Sequence, residues 1–112
     1  MKFDAYKNYL EGFMMKEITA QELLDKINAG ETLHLVDVRE DDEVAQGMIP
    51  GAKHIALGEV PARLDELDKS KSYIMVCRSG GRSGNACHFL AEQGYDVTNM
   101  VGGMLDWEGD TE

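Results

Sequence analysis

The stretch SYIMVCRSGGRSGNACHFLAEQG, Ser72 to Gly94, decides how this chain folds and where its chemistry lies. Tyr73 to Val76 is an apolar run of the length expected for a short buried strand. It stops at Cys77. Five residues follow, two of them glycine and two arginine, and an apolar-periodic helix begins near Ser83. A thiol between a strand end and a helix N-terminus faces unpaired backbone N–H groups and the positive end of the helix dipole. Both favour thiolate over thiol, and Arg78 and Arg82 are expected to push the same way. Gly80 and Gly81 are expected to take positive φ, so that successive N–H groups turn toward one point. The pattern points to nucleophilic sulfur with an anion bound in the same loop. The plainer alternative is a βα loop with a buried cysteine, since cysteine is commonly buried. The glycines, the arginines and the helix start weigh against it.

Outward from this stretch, strands and helices alternate. Ile18 falls in a short edge strand. Thr19 has the look of an N-cap, with Glu22 completing a capping box and Leu23, Leu24 and Ile27 forming the apolar face. Gly30 is the expected helix stop. Leu33 to Val38 reads as a buried parallel strand. Glu40 to Gln46 reads as a short acidic helix, Ala52 to Ala56 as a strand entered through the Pro50-Gly51 turn, and Val60 to Leu67 as a helix. After the loop come a helix over Ser83 to Gln93, a strand over Tyr95 to Met100 and a short helix closed by Trp107. Gly102 and Gly103 predict a turn or a close backbone approach. The order implies an α/β fold, a mainly parallel sheet with helices on both faces. Sites on such sheets lie beyond the strand carboxyl ends, and Cys77 falls there. Residues 3 to 13 carry Phe3, Tyr6, Leu10 and Phe13 at helical spacing. Residues 1–14 are therefore expected to be an added helical extension, unless translation also begins at Met15, and residues 15–112 the domain.

At 112 residues there is room for one domain with a single core, and 43% apolar content is that of a globular chain. The net charge of −10 argues against nucleic acid and anionic membranes as partners. It also sharpens the reading of the loop. The chain has four arginines, and two of them flank Cys77. Cys77 and Cys87 are too few for a disulfide framework, and no metal-ligand spacing occurs, so no metal or cofactor is expected. His34, His54 and His88 are scattered and read as ordinary core or surface residues. No signal peptide or membrane-length apolar run is visible. A working thiol fits a reduced, cytoplasmic setting. Asp37 and Arg39 follow a buried strand and could reach the same sheet edge as Cys77. A structural ion pair, Arg39 with Asp37 or Glu43, is the favoured reading of both.

Four landmarks, in this order and spacing, resemble the single-domain rhodanese-like sulfurtransferases: LVDVRE at Leu35–Glu40, GMIPGAKHI at Gly47–Ile55, CRSGGRS at Cys77–Ser83, and VGGMLDW at Val101–Trp107. The resemblance covers about residues 15 to 108. One departure is Met48, where the family often has His before Ile-Pro-Gly. The resemblance implies sulfane-sulfur transfer in two halves, through a persulfide on Cys77. It makes Cys77 the nucleophile and Arg78, Ser79, Gly80, Gly81, Arg82 and Ser83 the binding loop, with Asp37 and Arg39 as supporting candidates. The implied partners are a small-molecule or protein sulfur donor and a thiol acceptor. Donor, acceptor and oligomeric state are not legible. One alternative is a Cys-dependent phosphatase or arsenate reductase of related fold. Those loops run Cys-x5-Arg, whereas here Arg82 follows Cys77 after four residues, a smaller cup. A non-catalytic interaction module is the other, and the presence of Cys77 argues against it.

Overall fold

The computed structural model of the protein describes residues 15–112. The extension expected over residues 1–14 lies outside the described residues. Five strands, β1 (Lys16–Thr19), β2 (His34–Asp37), β3 (Lys53–His54), β4 (Ser72–Val76) and β5 (Asp96–Val101), form one sheet in the order β1-β5-β4-β2-β3. Every pairing is parallel. The helices are α1 (Ala20–Asn28), α2 (Asp41–Val44) and α3 (Gly81–Glu92), with 3-10 segments at Leu57–Glu66 and Gly103–Asp106.

Ile18 sits in edge strand β1, as expected. The capping box at the start of α1 is formed in both directions. The Glu22 amide donates to Thr19 Oγ1 at 3.0 Å, and the Thr19 amide donates to Glu22 Oε1 at 2.9 Å. Together they satisfy two donors that the first helical turn leaves open. Three elements differ from expectation. The strand at Ala52–Ala56 shrinks to Lys53–His54, because β3 is an edge strand paired on one side to the end of β2. The helix expected at Val60–Leu67 is a 3-10 segment that starts earlier and carries Pro61 inside it. Proline lacks an N–H and disrupts regular α-helix at that point. The terminal helix is likewise a single 3-10 turn.

The sheet is buried on both faces, and the side-chain alternation along β4 assigns each residue to one of them. Tyr73, Met75 and Cys77 join the cluster with Ala86, Cys87 and Leu90 of α3. Ile74 and Val76 join the opposite cluster with Leu23 of α1 and Met100. Period-two geometry thus aims the Cys77 side chain at the α3 face, beneath the start of that helix. A register change of one residue would turn it away.

Asp37 and Arg39 form the structural pair. Arg39 Nη2 donates to Asp37 Oδ2 at 2.8 Å and to the Gly47 carbonyl at 2.8 Å, and Nε donates to Asp37 Oδ1 at 3.0 Å. Glu43 contributes only its carbonyl oxygen, at 3.5 Å. Both charged side chains are buried, so each depends on the other. Asp37→Asn removes the compensating charge and leaves a buried guanidinium. It should lower unfolding stability by about 3–5 kcal/mol, read by urea denaturation. A loss under about 1 kcal/mol would contradict the pairing as a stability determinant.

Candidate active site

Cys77 closes β4, and the chain from Arg78 to Gly80 arches over its sulfur before α3 begins at Gly81. Gly80 has φ +101°, which an L side chain rarely adopts. A Cβ there would also lie 3.2 Å from the Gly102 amide nitrogen. Gly81 behaves differently from expectation. It is the first residue of α3, takes no positive φ, and has open space where a Cβ would lie. One glycine of the pair makes the turn, and its neighbour only starts the helix.

The Gly80 amide donates to Cys77 Sγ at 3.0 Å, and the Ser83 hydroxyl lies 3.3 Å from the same sulfur. The loop carbonyls are taken from the other side. Met104 N–H donates to the Cys77 carbonyl at 2.9 Å, and Leu105 N–H to that of Arg78 at 3.0 Å. The Gly80 carbonyl accepts from the Gly84 amide at 3.0 Å and from Asn99 Nδ2 at 3.1 Å. With its carbonyls drawn outward, the loop presents its N–H groups inward. Gly103 makes this docking feasible. A Cβ at that position would fall 2.4 Å from the Arg78 carbonyl oxygen and 2.5 Å from that of Cys77. The close approach foreseen for the Gly102-Gly103 pair is therefore against the nucleophile loop itself.

Opposing effects act on the Cys77 thiol. Burial pushes its pKa up; hydrogen bonds from the Ser83 hydroxyl and from the amides of Ser83, Gly80 and Ser79 push it down, and the net shift is downward. The arginines are not its leading causes, contrary to the sequence reading. Arg82 Nη1 and Nη2 instead bind Glu43 Oε1 and Oε2 at 2.6 and 2.8 Å. This bidentate pair holds the Glu43 carboxyl down at about 2, chiefly through the Arg82 hydrogen bonds. Arg78 is exposed and lines a shallow cleft at the loop mouth with Arg39, Glu43, Met104 and Leu105. Arg39 reaches that cleft, but its hydrogen bonds go to Asp37 and Gly47. Cys87 is equally buried, lies in the apolar cluster, and has its thiol pushed up to about 12 by burial first and by the Cys77 charge second.

The structure thus gathers Cys77, Ser79, Gly80 and Ser83 around one sulfur atom, turns Arg82 toward Glu43 and leaves Arg78 at the rim. Two participants were missed in the sequence. Glu43 belongs to α2, far away in the chain, and nothing local announces its arginine. Asn99 had a visible signal: it is an amide among apolar residues in a strand whose neighbours Val97 and Met100 are core. No group of His, Cys, Asp and Glu that could hold a metal ion occurs among the described residues.

Known proteins with this sheet and loop define the class. The rhodanese-like domain family matches residues 19–110, so the chain belongs to the rhodanese-like family. It is 40% identical over 95 residues to a sulfurtransferase of Allochromatium vinosum, covering 84% of this chain and 89% of that one. It is 53% identical over 98 residues to YtwF of Bacillus subtilis, provisionally named a sulfurtransferase, covering 88% and 95%. The crystal structure of a rhodanese-like domain protein from Staphylococcus aureus superposes with a TM-score of 0.83 at 38% identity, covering 88% of this chain and 97% of that one. The relatives named here as sulfurtransferases share most of their length with this rhodanese-like domain.

The lowered thiol pKa has a direct readout. Iodoacetamide alkylation of Cys77 against pH should show a midpoint below the model thiol near about 8.5, while Cys87 stays unmodified. Ser83→Ala removes a donor to the thiolate and should move the midpoint up by about one unit. A midpoint unchanged by Ser83→Ala would mean that the hydroxyl does not serve the sulfur.

Proposed function

We propose that the protein moves sulfane sulfur from a donor to a thiophilic acceptor through a persulfide on Cys77. The observation that carries this reading is the single-atom focus of the loop, with the Gly80 N–H 3.0 Å and the Ser83 hydroxyl 3.3 Å from Sγ. In the first half-reaction the Cys77 thiolate attacks the outer sulfur of the donor. The donor's S–S bond breaks, and its electron pair leaves with sulfite from thiosulfate, or with a thiolate from a persulfide. In the second, an acceptor thiolate or cyanide attacks the terminal sulfur and Cys77 leaves as thiolate. Nothing is oxidised or reduced overall; a sulfur atom changes partner. The amides of Arg78 through Ser83 surround the anionic terminal sulfur, and Arg78 at the mouth meets the anionic part of the donor. No protein base is needed, because the nucleophile is ionised beforehand and each leaving group is a stable anion. A reduced cytoplasmic setting belongs to the same reading.

The Arg82–Glu43 pair weighs against phosphoryl chemistry. A phosphatase needs its arginine on the equatorial oxygens, and here that guanidinium is bidentate on a carboxylate. A purely binding role leaves the lowered Cys77 thiol without a purpose.

Incubation with thiosulfate or glutathione persulfide, followed by mass spectrometry, should add the mass of one sulfur atom to Cys77. Cys77→Ser should take up none and keep at most roughly a few per cent of the transfer rate. Equal sulfur uptake by Cys77→Ser would sink the proposal. The role of Glu43 is separable. Glu43→Gln leaves the Arg82 guanidinium without its counter-charge and free to bind a donor anion. The thiosulfate KM should fall roughly three-fold, the scale of one partly exposed charge pair, in steady-state assays with cyanide. An unchanged KM would show that Arg82 does not reach the donor.

A further inference from the structure

Ser83 has one hydroxyl proton and two acceptors within reach. Its Oγ lies 2.5 Å from Asn99 Oδ1 and 3.3 Å from Cys77 Sγ. Only one can receive the proton at a time. The orientation of Asn99 is fixed by its other end, because Nδ2 donates to the Gly80 carbonyl at 3.1 Å. The acceptor oxygen must then face Ser83. Ser83 is fully buried and Asn99 nearly so. No buried side-chain nitrogen or oxygen among the described residues lacks a partner.

The distances give two states. With Cys77 as thiol, Ser83 donates to Asn99, and its lone pair accepts the S–H. When the thiol ionises, its proton leaves for water at the mouth, and the Ser83 O–H rotates from Asn99 to the thiolate. Asn99 Oδ1 is then a buried acceptor without its donor, which carries a cost. We propose that Asn99 is a positioning residue that competes with Cys77 for the Ser83 proton and so sets how readily the nucleophile ionises. Through Nδ2 the same side chain holds the Gly80 carbonyl, and with it the amide that donates to Sγ.

Other ionisable groups lie on the elements around this site and are unchanged by substitutions at Asn99. Arg82 and Cys87 come from α3; Asp37, Arg39, Glu40 and Glu43 from the β2–α2 segment; Arg78 from the loop; Asp106 from the terminal 3-10 turn. Arg82 is held by Glu43 and Arg39 by Asp37, so neither is positioned to take the hydroxyl proton. Cys87 stays a thiol, held there mainly by burial. Asn99 therefore acts on Cys77 by two routes, the Ser83 hydroxyl and the Gly80 tether, and the Ser83→Ala background separates them.

The inference rests on Cys77 being the reactive thiol, and its test reads the thiol rather than sulfur transfer. The midpoint of iodoacetamide alkylation against pH is measured for wild type, Asn99→Asp, Asn99→Leu, and both variants combined with Ser83→Ala. Asn99→Asp keeps the shape and the acceptor oxygen, loses the Nδ2 donor to Gly80 and adds charge, so it grips the Ser83 proton harder. The midpoint should rise by about one unit or more. Asn99→Leu removes the competitor, and the midpoint should fall. With Ser83→Ala the fall in the Leu variant should vanish, and the Asp effect should shrink to the direct repulsion and the lost tether. A midpoint unmoved by Asn99→Asp overturns the proposal. So does an Asn99→Leu shift that is upward, or equally large without the Ser83 hydroxyl, since either marks loss of the Gly80 tether alone. Should Asn99→Leu fail to fold, the Asp pair with and without Ser83→Ala decides by itself. Normal alkylation shifts with no sulfur uptake from any donor would instead count against the sulfurtransferase reading and leave this one standing.

Discussion

Everything at this site depends on where the loop carbonyls go. A buried thiolate requires donors, and the nearest are backbone N–H groups of the arch between β4 and α3. Those groups converge only if the loop carbonyls point away and find partners elsewhere. Met104 and Leu105 supply amides to Cys77 and Arg78, while Gly84 and Asn99 hold the Gly80 carbonyl. The terminal 3-10 turn is thus a support for the Cys77 loop. Gly103 is the steric condition for that support. A side chain there would push the turn off the two carbonyls and release the arch.

The charge balance of the site follows from this choice of donors. In a chain of net charge −10, one arginine near the sulfur is neutralised by Glu43 and another stands at the rim. The sulfur is stabilised mainly by short contacts with neutral groups. Such contacts are hardly screened by salt, whereas a guanidinium on a wet surface is. Neutral donors also suit the proposed persulfide, whose terminal sulfur carries a single charge. A ring of cations would hold any oxyanion that wandered in and would compete with the sulfur carrier.

The chain announces much of this in its sequence. The apolar run ending at Cys77, the Gly-rich arch and the periodic helix located the parallel sheet, the strand-to-helix loop and the sheet edge where the proposed nucleophile lies. The Thr19–Glu22 capping box was legible because both partners lie within one helical turn. What stayed hidden depended on contacts across the sequence. Glu43 and Arg82 are 39 residues apart, so their pairing had no local mark and Arg82 was read as serving the sulfur. The role of Gly81 was overread for a related reason. Two adjacent glycines look alike in a sequence, but only the one whose φ must reverse at the helix entrance is conformationally required. Pro61 and the one-sided pairing of β3 shortened two regular elements that periodicity alone would extend.

The two cysteines show how thiols of equal burial are pushed in opposite directions. Cys77 and Cys87 are both 1% exposed and belong to the same packed cluster. Burial acts on both in the same direction, toward the neutral thiol. Cys87 lies within a helix, where the backbone amides are already engaged in the helical ladder, and its pKa rises to about 12. Cys77 lies one residue before the arch, where N–H groups have no other partner, and its pKa falls. Exposure therefore does not separate them. The deciding variable is how many unclaimed donors the backbone presents to the sulfur, and that number is set by the strand-to-helix transition. Moving the thiol one or two residues back into β4 would leave it buried but away from those donors.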